Sequence, residues 1–252
     1  MGVIILKVVI LCGGKGLRMR SGYEDLPKPM AIVNGKPLIW HVMKIYSEYG
    51  FNEFILPLGY GGEKIKEYFM DYKWKNSNLT KSFDKNEIEY LDEIDISKFK
   101  ITFIDTGINT MTGGRIKKIE PYIEGDTFMM TYADGLSDVN IAKVLDFHMK
   151  KNTIATLTAV DRKSQFGILQ IENGMAKSFG EKSTLDGLIN GGFFVLNKKI
   201  FHYLSDDTCI FEEEPLRNLV KEQQLSVYVH NGYWKAIDTQ KDLKDVNEQW
   251  KN

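Results

Sequence analysis

A glycine-rich loop with one arginine follows the first apolar segment of the chain. Its members are Leu11, Gly13, Gly14, Gly16 and Arg18. Glycines allow backbone N–H groups to approach a polyphosphate, and an arginine can add a two-pronged contact to it. The loop is neither a Rossmann nor a Walker motif, because Met19 stands where the last Rossmann glycine is needed and no Gly-Lys-Ser/Thr ends the loop. Taken alone, the glycines are equally compatible with an ordinary strand-to-helix turn.

Lys28 stands between two prolines, Pro27 and Pro29. Each proline fixes its own backbone angle, so the position of the Lys28 ammonium is constrained before any ligand binds, and less entropy is lost on binding. Such a lysine on its own is typical of a solvated surface turn. Because it closely follows the glycine-rich loop, we interpret it as a second phosphate contact.

Two aspartates, Asp134 and Asp238, each follow an apolar segment that predicts a strand. Ligands of a parallel sheet bind outside the carboxyl ends of its strands, which is where both carboxylates are expected. Mg²⁺ prefers one or two carboxylates together with phosphate oxygens, so these acids are candidate metal ligands. A turn or helix cap is the alternative, and for Asp238, which precedes Thr239 and a predicted helix, the two interpretations are equally supported.

Three shorter motifs place a polar side chain beside glycine and are weak signals individually. They are residues 111–115 with Arg115, residues 180–182 with Lys182, and residues 190–192 with Asn190 and Gly191. The histidines form no catalytic or metal-binding pattern and are interpreted as structural or surface residues: His41, His148, His202 and His230. The acidic run at residues 212–214 precedes Pro215 and is interpreted as the first turn of a helix, where negative charge is favourable.

The elements that must position these residues alternate between strands and helices. Strands are predicted at residues 7–11, 54–58, 101–104, 128–132 and 153–160, and helices at residues 37–49, 61–72 and 141–150. This alternation predicts an α/β fold: a Rossmann-like, mixed but mostly parallel sheet flanked by helices. Residues 74–100 are polar and irregular, with one short strand at residues 88–91, and are interpreted as an insertion.

The second half of the chain has shorter elements and is predicted to be a smaller α+β region. A hairpin is predicted around residues 168–179 with its turn at Asn173-Gly174. Strands at residues 227–229 and 234–237 and helices at residues 213–221 and 241–250 complete it. Neither a repeat nor a linker divides the chain, so residues 7–252 are predicted to form one domain, preceded by an extension of residues 1–6.

The composition excludes several classes of protein. The 252 residues include 33 Lys or Arg and 34 Asp or Glu, which gives a net charge of −1. This balance argues against the broad positive face that nucleic-acid binding requires. The apolar start is interrupted at Lys7 and is too short to span a bilayer, so no membrane association is expected. The two cysteines, Cys12 and Cys209, lack metal or redox spacing, which favours the reducing cytoplasm. A homo-oligomer is left open.

Several of these motifs occur together, and in the same order, in a known family. Residues 11–18 followed by Lys28-Pro29 resemble the Leu-Ala-Gly-Gly-x-Gly-Thr-Arg and Lys-Pro opening of nucleotidyltransferases, which join a nucleoside triphosphate to a sugar 1-phosphate. Residues 105–115, 132–135, 189–195 and 234–239 resemble the cytidylyltransferase branch of that family. The resemblance extends from about Lys7 to the C-terminus and implies the nucleotide-diphospho-sugar transferase type of fold.

The resemblance also implies a CTP-binding set, an acceptor-binding set and a pair of Mg²⁺ ligands. The CTP-binding set is Leu11, Gly13, Gly14, Gly16, Arg18, Arg115 and Tyr132. The acceptor-binding set is Lys182, Leu188, Asn190 and Gly191, and the metal ligands are Asp134 and Asp238. The residues expected to act on the reacting phosphates are Arg18, Lys28 and Lys182. Residues 7–150 would then bind mainly the nucleotide, and residues 151–252 mainly the acceptor.

The chain departs from the family pattern mainly on the acceptor side. Leu188 stands where the family usually has Trp, and Ser183 stands where it has Pro after the lysine. Loss of a flat aromatic face argues against a stacked hexose, so two small phosphorylated acceptors stay open. One is a sugar 1-phosphate such as glucose 1-phosphate. The other is phosphoglutamine, the acceptor of a related cytidylyltransferase of capsule phosphoramidate synthesis, within the bacterial surface-polysaccharide pathways.

The implied reaction is attack by an acceptor phosphate oxygen on the α-phosphorus of CTP, with pyrophosphate leaving in line. A phosphate is already largely ionised near neutral pH, so no general base is required. Two other functions are weighed against it. A metal-dependent glycosyltransferase would need Asp134 but not both the glycine-rich loop and Lys28, and a non-catalytic nucleotide sensor would not need both Asp134 and Asp238.

Overall fold

The computed structural model describes residues 6–14, 26–161, 168–172, 175–180 and 187–250. The strands, in chain order, are β1 (Lys7–Leu11), β2 (Ile32–Val33), β3 (Lys36–Pro37), β4 (Glu53–Leu58), β5 (Leu79–Ser82), β6 (Glu87–Tyr90), β7 (Lys100–Asp105), β8 (Thr127–Tyr132), β9 (Gly135–Ser137), β10 (Ala155–Asp161), β11 (Ile168–Glu172), β12 (Met175–Gly180), β13 (Leu188–Asn197), β14 (Leu225–His230) and β15 (Trp234–Ala236). The α-helices are α1 (Leu38–Ser47), α2 (Gly62–Met70), α3 (Tyr72–Asn76), α4 (Thr112–Lys118), α5 (Ile141–Lys151), α6 (Glu214–Lys221) and α7 (Gln240–Gln249). Short 3-10 helices form at Lys28–Met30, Glu120–Tyr122 and Lys198–Tyr203.

A seven-stranded sheet with the order β14-β10-β13-β8-β1-β4-β7 forms the centre of the molecule. Strands β8, β1, β4 and β7 pair in parallel, as do β10 and β14. Strand β13 pairs antiparallel with both of its neighbours, β10 and β8. The predicted mixed, mostly parallel α/β sheet is therefore confirmed.

Strand β13 is the main element that the sequence pattern did not predict. Its first half contains Asn190, Gly191 and Gly192, which disfavour a strand, and Gly192 has a φ of +84°. The glycines are needed because neighbours approach closely. A Cβ on Gly191 would lie 2.9 Å from the Thr158 carbonyl oxygen, and one on Gly192 would lie 2.8 Å from the ring of Tyr132.

The sheet is buried on both faces, which explains the unbroken apolar runs of its central strands. On β1, Val8 and Ile10 face a cluster that includes helix α1, whereas Val9 and Leu11 face a cluster that includes helix α6. All of these except Leu11 are fully buried. The described residues that follow β1 and β8 thus leave a sheet that is covered on both faces.

Two smaller predictions are refined. The helix predicted at residues 61–72 is divided into α2 and α3 at Asp71. The insertion at residues 74–100 carries a separate hairpin, β5 with β6, outside the main sheet. Strands β11 and β12 pair antiparallel as predicted, while their predicted turn at Asn173-Gly174 lies outside the described residues. Within the described part of the chain, no helix is long and apolar enough to cross a membrane.

Candidate active site

A cavity of about 800 Å³ opens at the carboxyl ends of β1 and β8. Such a volume is typical of a small-molecule site. It collects most of the described residues that the sequence analysis singled out: Leu11, Gly13, Gly14, Lys28, Arg115, Tyr132, Asp134 and Asp238 line it. Three others, Gly16, Arg18 and Lys182, lie outside the described residues, so their roles stay predictions.

Strand pairing brings Asp134 and Asp238 together, although they are far apart in sequence. Leu11 on β1 is in register with Tyr132 on β8, so the glycine-rich loop and Asp134 leave the sheet side by side. Strand β15 pairs antiparallel with β9, with Ala236 opposite Gly135. The Ile237 N–H then donates to the Asp134 carbonyl oxygen at 2.8 Å, which places Asp238 beside Asp134.

Lys28 lies between the two carboxylates. Its ammonium is 2.7 Å from Asp134 Oδ2 and 2.7 Å from Asp238 Oδ1. The Lys28 side chain is only 12% exposed, whereas the two carboxylates are 40% and 38% exposed. Two partly solvated carboxylates that converge on one cationic atom are a donor set that suits Mg²⁺, with phosphate oxygens and water completing its shell.

The described residues contain no cluster of three or more acids, histidines or cysteines that could enclose a metal by themselves. A metal held by Asp134 and Asp238 would therefore take its remaining ligands from water or from substrate phosphates. This is the usual arrangement for Mg²⁺ at phosphate-transfer sites.

The interpretation of Asp238 as a helix cap is wrong. Thr239 is the N-cap of α7, and its hydroxyl accepts a hydrogen bond from the Asp242 N–H at 3.1 Å. Asp242 returns the contact by accepting from the Thr239 N–H at 3.0 Å, which completes a capping box. Asp238 Oδ1 instead accepts from Lys28, on the cavity side.

Arg115 is buried beneath the glycine-rich loop, with 4% of its surface exposed. Its guanidinium donates to the Leu58 carbonyl oxygen at 2.9 Å, to the Thr106 hydroxyl at 2.5 Å and to the Gly13 carbonyl oxygen at 3.0 Å. Burial lowers the pKa of Arg115 from its usual value. The side chain both lines the cavity and fixes the backbone of the loop, and its direct contact with a nucleotide stays a prediction.

Tyr132 and Glu212 form the opposite wall of the cavity. The Tyr132 hydroxyl donates to Glu212 Oε1, and the Thr112 hydroxyl donates to Glu212 Oε2 at 2.6 Å. Burial and the adjacent Glu212 carboxylate raise the pKa of Tyr132, so its hydroxyl stays protonated. Glu212 was not predicted as a cavity residue, because residues 212–214 were interpreted as the first turn of a helix, but α6 begins only at Glu214. Nothing in the acidic run distinguishes Glu212 from its neighbours.

A smaller cavity of about 180 Å³ adjoins the main one and shares Tyr132 and Asp134 with it. Asn190 and Gly191, two residues of the predicted acceptor-binding set, line it. Trp234 lines it as well, and its indole Nε1 donates to the Gly191 carbonyl oxygen at 2.7 Å. Leu188 is absent from the lining of both cavities and is 52% exposed. Trp234 thus supplies an aromatic side chain to this cavity, and the predicted part of Leu188 in an acceptor pocket stays a prediction.

The remaining candidate nucleophiles and bases have structural contacts. Burial raises the pKa of the Cys12 thiol, which keeps it protonated. The ring of His41 lies 2.7 Å from the Val33 carbonyl oxygen, and that of His148 lies 2.8 Å from the Thr156 hydroxyl, both buried away from the cavity. The cavity therefore brings together the loop backbone at Gly13 and Gly14, an ammonium and two carboxylates, which suits charge stabilisation at a phosphoryl group.

Comparison with known proteins agrees with this chemistry. The chain is 52% identical to the probable glucose-1-phosphate cytidylyltransferase of Bacillus subtilis over 246 residues, which cover 97% of this chain and 96% of that protein. It is 40% identical to the glucose-1-phosphate cytidylyltransferase of Salmonella typhi, with the same coverage of 97% and 96%. The crystal structure of HddC from Yersinia pseudotuberculosis complexed with GMP-PN superposes with a TM-score of 0.69 at 25% identity, covering 98% of this chain and all of that one. The family model described as Nucleotidyl transferase matches residues 7–252, and the chain therefore belongs to the nucleotidyl transferase family.

Proposed function

We propose that this protein is a cytidylyltransferase that transfers CMP from CTP to a sugar 1-phosphate, with glucose 1-phosphate as the first candidate, and releases pyrophosphate. The similarity to two glucose-1-phosphate cytidylyltransferases over 97% of the chain carries this proposal. The site supports it independently, because the loop at Gly13 and Gly14, the Lys28 ammonium and the Asp134–Asp238 pair line one cavity.

The chemistry requires positioning and charge neutralisation more than proton transfer. An oxygen of the acceptor phosphate attacks the α-phosphorus of CTP, and the bond from that phosphorus to the oxygen bridging to the β-phosphate breaks. Since the attacking phosphate is already ionised, no base is needed. Backbone N–H groups at Gly13 and Gly14 would hold the triphosphate, and Arg18, Lys28 and Lys182 would balance its charge and that of the acceptor. Mg²⁺, held by Asp134 and Asp238, would supply further charge neutralisation at the phosphates.

The two adjoining cavities suggest how the substrates would be separated. The nucleotide would occupy the larger cavity and the acceptor the smaller one, because only the smaller is lined by Asn190, Gly191 and Trp234. Tyr132 and Asp134 line both cavities, so the phosphates of the two substrates would meet beside them. The indole of Trp234 offers the apolar, flat surface on which a sugar ring can rest.

Phosphoglutamine is the second candidate acceptor. It stays a candidate because Leu188 stands where the family resemblance leads us to expect a stacking Trp, but Leu188 lines neither cavity and makes no contact there that favours one acceptor over the other. A product used in bacterial surface-polysaccharide or capsule synthesis would follow from either acceptor.

Pyrophosphate release by the purified protein tests the proposal directly. We expect release with CTP, Mg²⁺ and glucose 1-phosphate, little with UTP, ATP or dTTP, and none when EDTA removes the metal. Phosphoglutamine serves as the competing acceptor in the same assay. A higher kcat/KM with phosphoglutamine would reassign the acceptor, equal rates with CTP and UTP would reject the nucleotide assignment, and the absence of turnover with every pair would favour a nucleotide sensor.

A further inference from the structure

Lys28 has a fixed backbone and a long side chain that can take more than one partner. Pro29 and Met30 are buried in the 3-10 helix that begins at Lys28. The ring of Pro27 contacts the turn at Gly61, where a Cβ would lie 2.8 Å from it. The ammonium, in contrast, is a compact charge on a flexible stem of four carbons. The fold therefore anchors the lysine without fixing where its charge must lie.

The position of this ammonium conflicts with the proposed metal. Lys28 Nζ lies 2.7 Å from one oxygen of Asp134 and 2.7 Å from one oxygen of Asp238. A Mg²⁺ ion needs carboxylate oxygens at about 2.0–2.1 Å. An ammonium and a divalent cation between the same two carboxylates would repel each other strongly at such short range. A Mg²⁺ ion bound to the two oxygens that now contact Lys28, Asp134 Oδ2 and Asp238 Oδ1, would therefore exclude the ammonium from its present position.

We propose that Lys28 is an exchangeable internal counter-ion of the metal site. In the state described here its ammonium neutralises Asp134 and Asp238, and the entry of a divalent cation displaces it into the cavity, where it contacts the triphosphate. Lys28 is a positioning residue in the first state and a substrate-binding residue in the second. This inference rests on the proposed function in that it takes these two aspartates to be the metal ligands.

Two neighbouring cations in the described part of the chain, Arg115 and Lys235, are held by other groups. The Arg115 guanidinium donates to the carbonyl oxygens of Leu58 and Gly13. Lys235 is next to Ala236 in strand β15, but its ammonium lies 2.8 Å from Asp242 Oδ1 and 3.5 Å from Asp245 Oδ2. Lys28 is thus the described cation that is in contact with both cavity carboxylates.

The exchange predicts a specific coupling between metal and nucleotide. A metal that binds without nucleotide must displace the Lys28 ammonium, which then has no phosphate to contact. The affinity for the metal alone is therefore weak. When CTP is present, the displaced ammonium gains phosphate oxygens, and metal and CTP bind cooperatively. By linkage, the metal increases the affinity for CTP by the same factor.

Titration with Mn²⁺ in the absence of nucleotide tests this exchange, with the free ion followed by electron paramagnetic resonance. Since removing a positive charge next to the site removes a competitor, Lys28→Met should bind Mn²⁺ at least about tenfold more tightly than the unmodified protein. Lys235→Met is the matched control, because it removes a lysine that also bridges two aspartates but lies outside the cavity lining. It should bind Mn²⁺ as the unmodified protein does. Lys28→Gln provides the same comparison if the methionine variant does not fold.

Equal or weaker Mn²⁺ binding by both Lys28 variants would overturn the exchange. That result is distinct from a failure of the proposed function, which would appear as absent pyrophosphate release from CTP by the unmodified protein. Tighter Mn²⁺ binding by the variants without such turnover would keep the exchange and reject the cytidylyltransferase assignment. Normal turnover by the unmodified protein, together with unchanged Mn²⁺ binding by the Lys28 variants, would reject the exchange and keep the cytidylyltransferase assignment.

Discussion

The Arg115 guanidinium donates a hydrogen bond to the Gly13 carbonyl oxygen at 3.0 Å, across 102 positions of sequence. This contact connects helix α4 to the loop that follows β1. A buried guanidinium can satisfy several carbonyl oxygens at once because its donors are arranged in a rigid fork. The conformation of the glycine-rich loop therefore depends on a residue from a different part of the fold.

The first prediction follows from the space around this contact. A Cβ on Gly13 would overlap the Arg115 guanidinium, whereas a Cβ on Gly14 meets nothing within 4 Å. We expect Gly13→Ala to lower kcat/KM for CTP by about 100-fold, since a displacement of about 1 Å at a reacting site has effects of that size. Gly14→Ala is the control and should have a clearly smaller effect. Similar losses in the two variants, measured by pyrophosphate release, would contradict the proposed role of Arg115.

The second prediction separates metal binding from helix capping at two adjacent residues. Asp238→Ala removes a carboxylate from the cavity and should abolish Mg²⁺-dependent turnover with little loss of stability. Thr239→Ala removes the N-cap of α7 and should cost about 1 kcal/mol of unfolding free energy while turnover is kept. Urea unfolding and kcat at limiting Mg²⁺ measure the two effects. If Asp238→Ala kept the kcat of the unmodified protein, its role as a metal ligand would be wrong.

The third prediction concerns the stability of the fold at acid pH. His148 is buried in α5, and this desolvation lowers the pKa of its imidazole below the usual value of about 6.5. The unfolded chain therefore takes up a proton at His148 before the folded protein does, so stability is lost as the pH falls below about 6.5. His148→Gln should reduce this loss, by at most about 1.4 kcal/mol per pH unit.

Urea unfolding near neutral pH and at about pH 5.5 measures that change in slope. His202→Gln is the control because His202 is exposed. An acid-side loss of stability that is identical in His148→Gln and the unmodified protein would show that His148 does not contribute to it.

Local patterns predicted the part of the site that lies directly after continuous strands. The loop at Gly13 follows β1 and Asp134 follows β8, and both strands are unbroken apolar segments. The alternation of strands and helices predicted a mostly parallel sheet, and this correctly placed both residues at the same end of it. The position of Asp238 was harder to predict, since it depends on the antiparallel pairing of β15 with β9.

Residues placed by long-range packing could not be predicted in this way. Glu212 reaches the cavity from an irregular segment before α6, and only its contacts with Tyr132 and Thr112 distinguish it from Glu213. Strand β13 was not predicted because its glycines have a low strand propensity. They are required by the close approach of neighbouring strands, and local sequence patterns contain no information about that approach. The place of Trp234 in the smaller cavity was not predicted either, because it depends on a contact between residues far apart in sequence. Its indole reaches Gly191 across the gap between β15 and β13.

The last prediction concerns this tryptophan and the acceptor. Trp234 lines the smaller cavity together with Asn190 and Gly191. Trp234→Ala should raise the KM for glucose 1-phosphate about tenfold, because loss of the aromatic surface removes on the order of 1.4 kcal/mol or more of contact with the sugar. The KM for CTP should change much less. Trp234→Phe keeps a flat ring but loses the indole N–H to Gly191, so it should retain most of the affinity for the acceptor.

Controls at two other positions make the result specific. Trp74 is 50% exposed on α3, and Trp74→Ala should leave both KM values unchanged. Leu188→Trp restores the family residue at a position outside both cavities, and it should not lower the KM for glucose 1-phosphate. If Trp234→Ala left that KM unchanged while Leu188→Trp lowered it, the aromatic contact with the acceptor would belong to position 188. The sugar ring would then lie nearer the start of β13 than the smaller cavity implies.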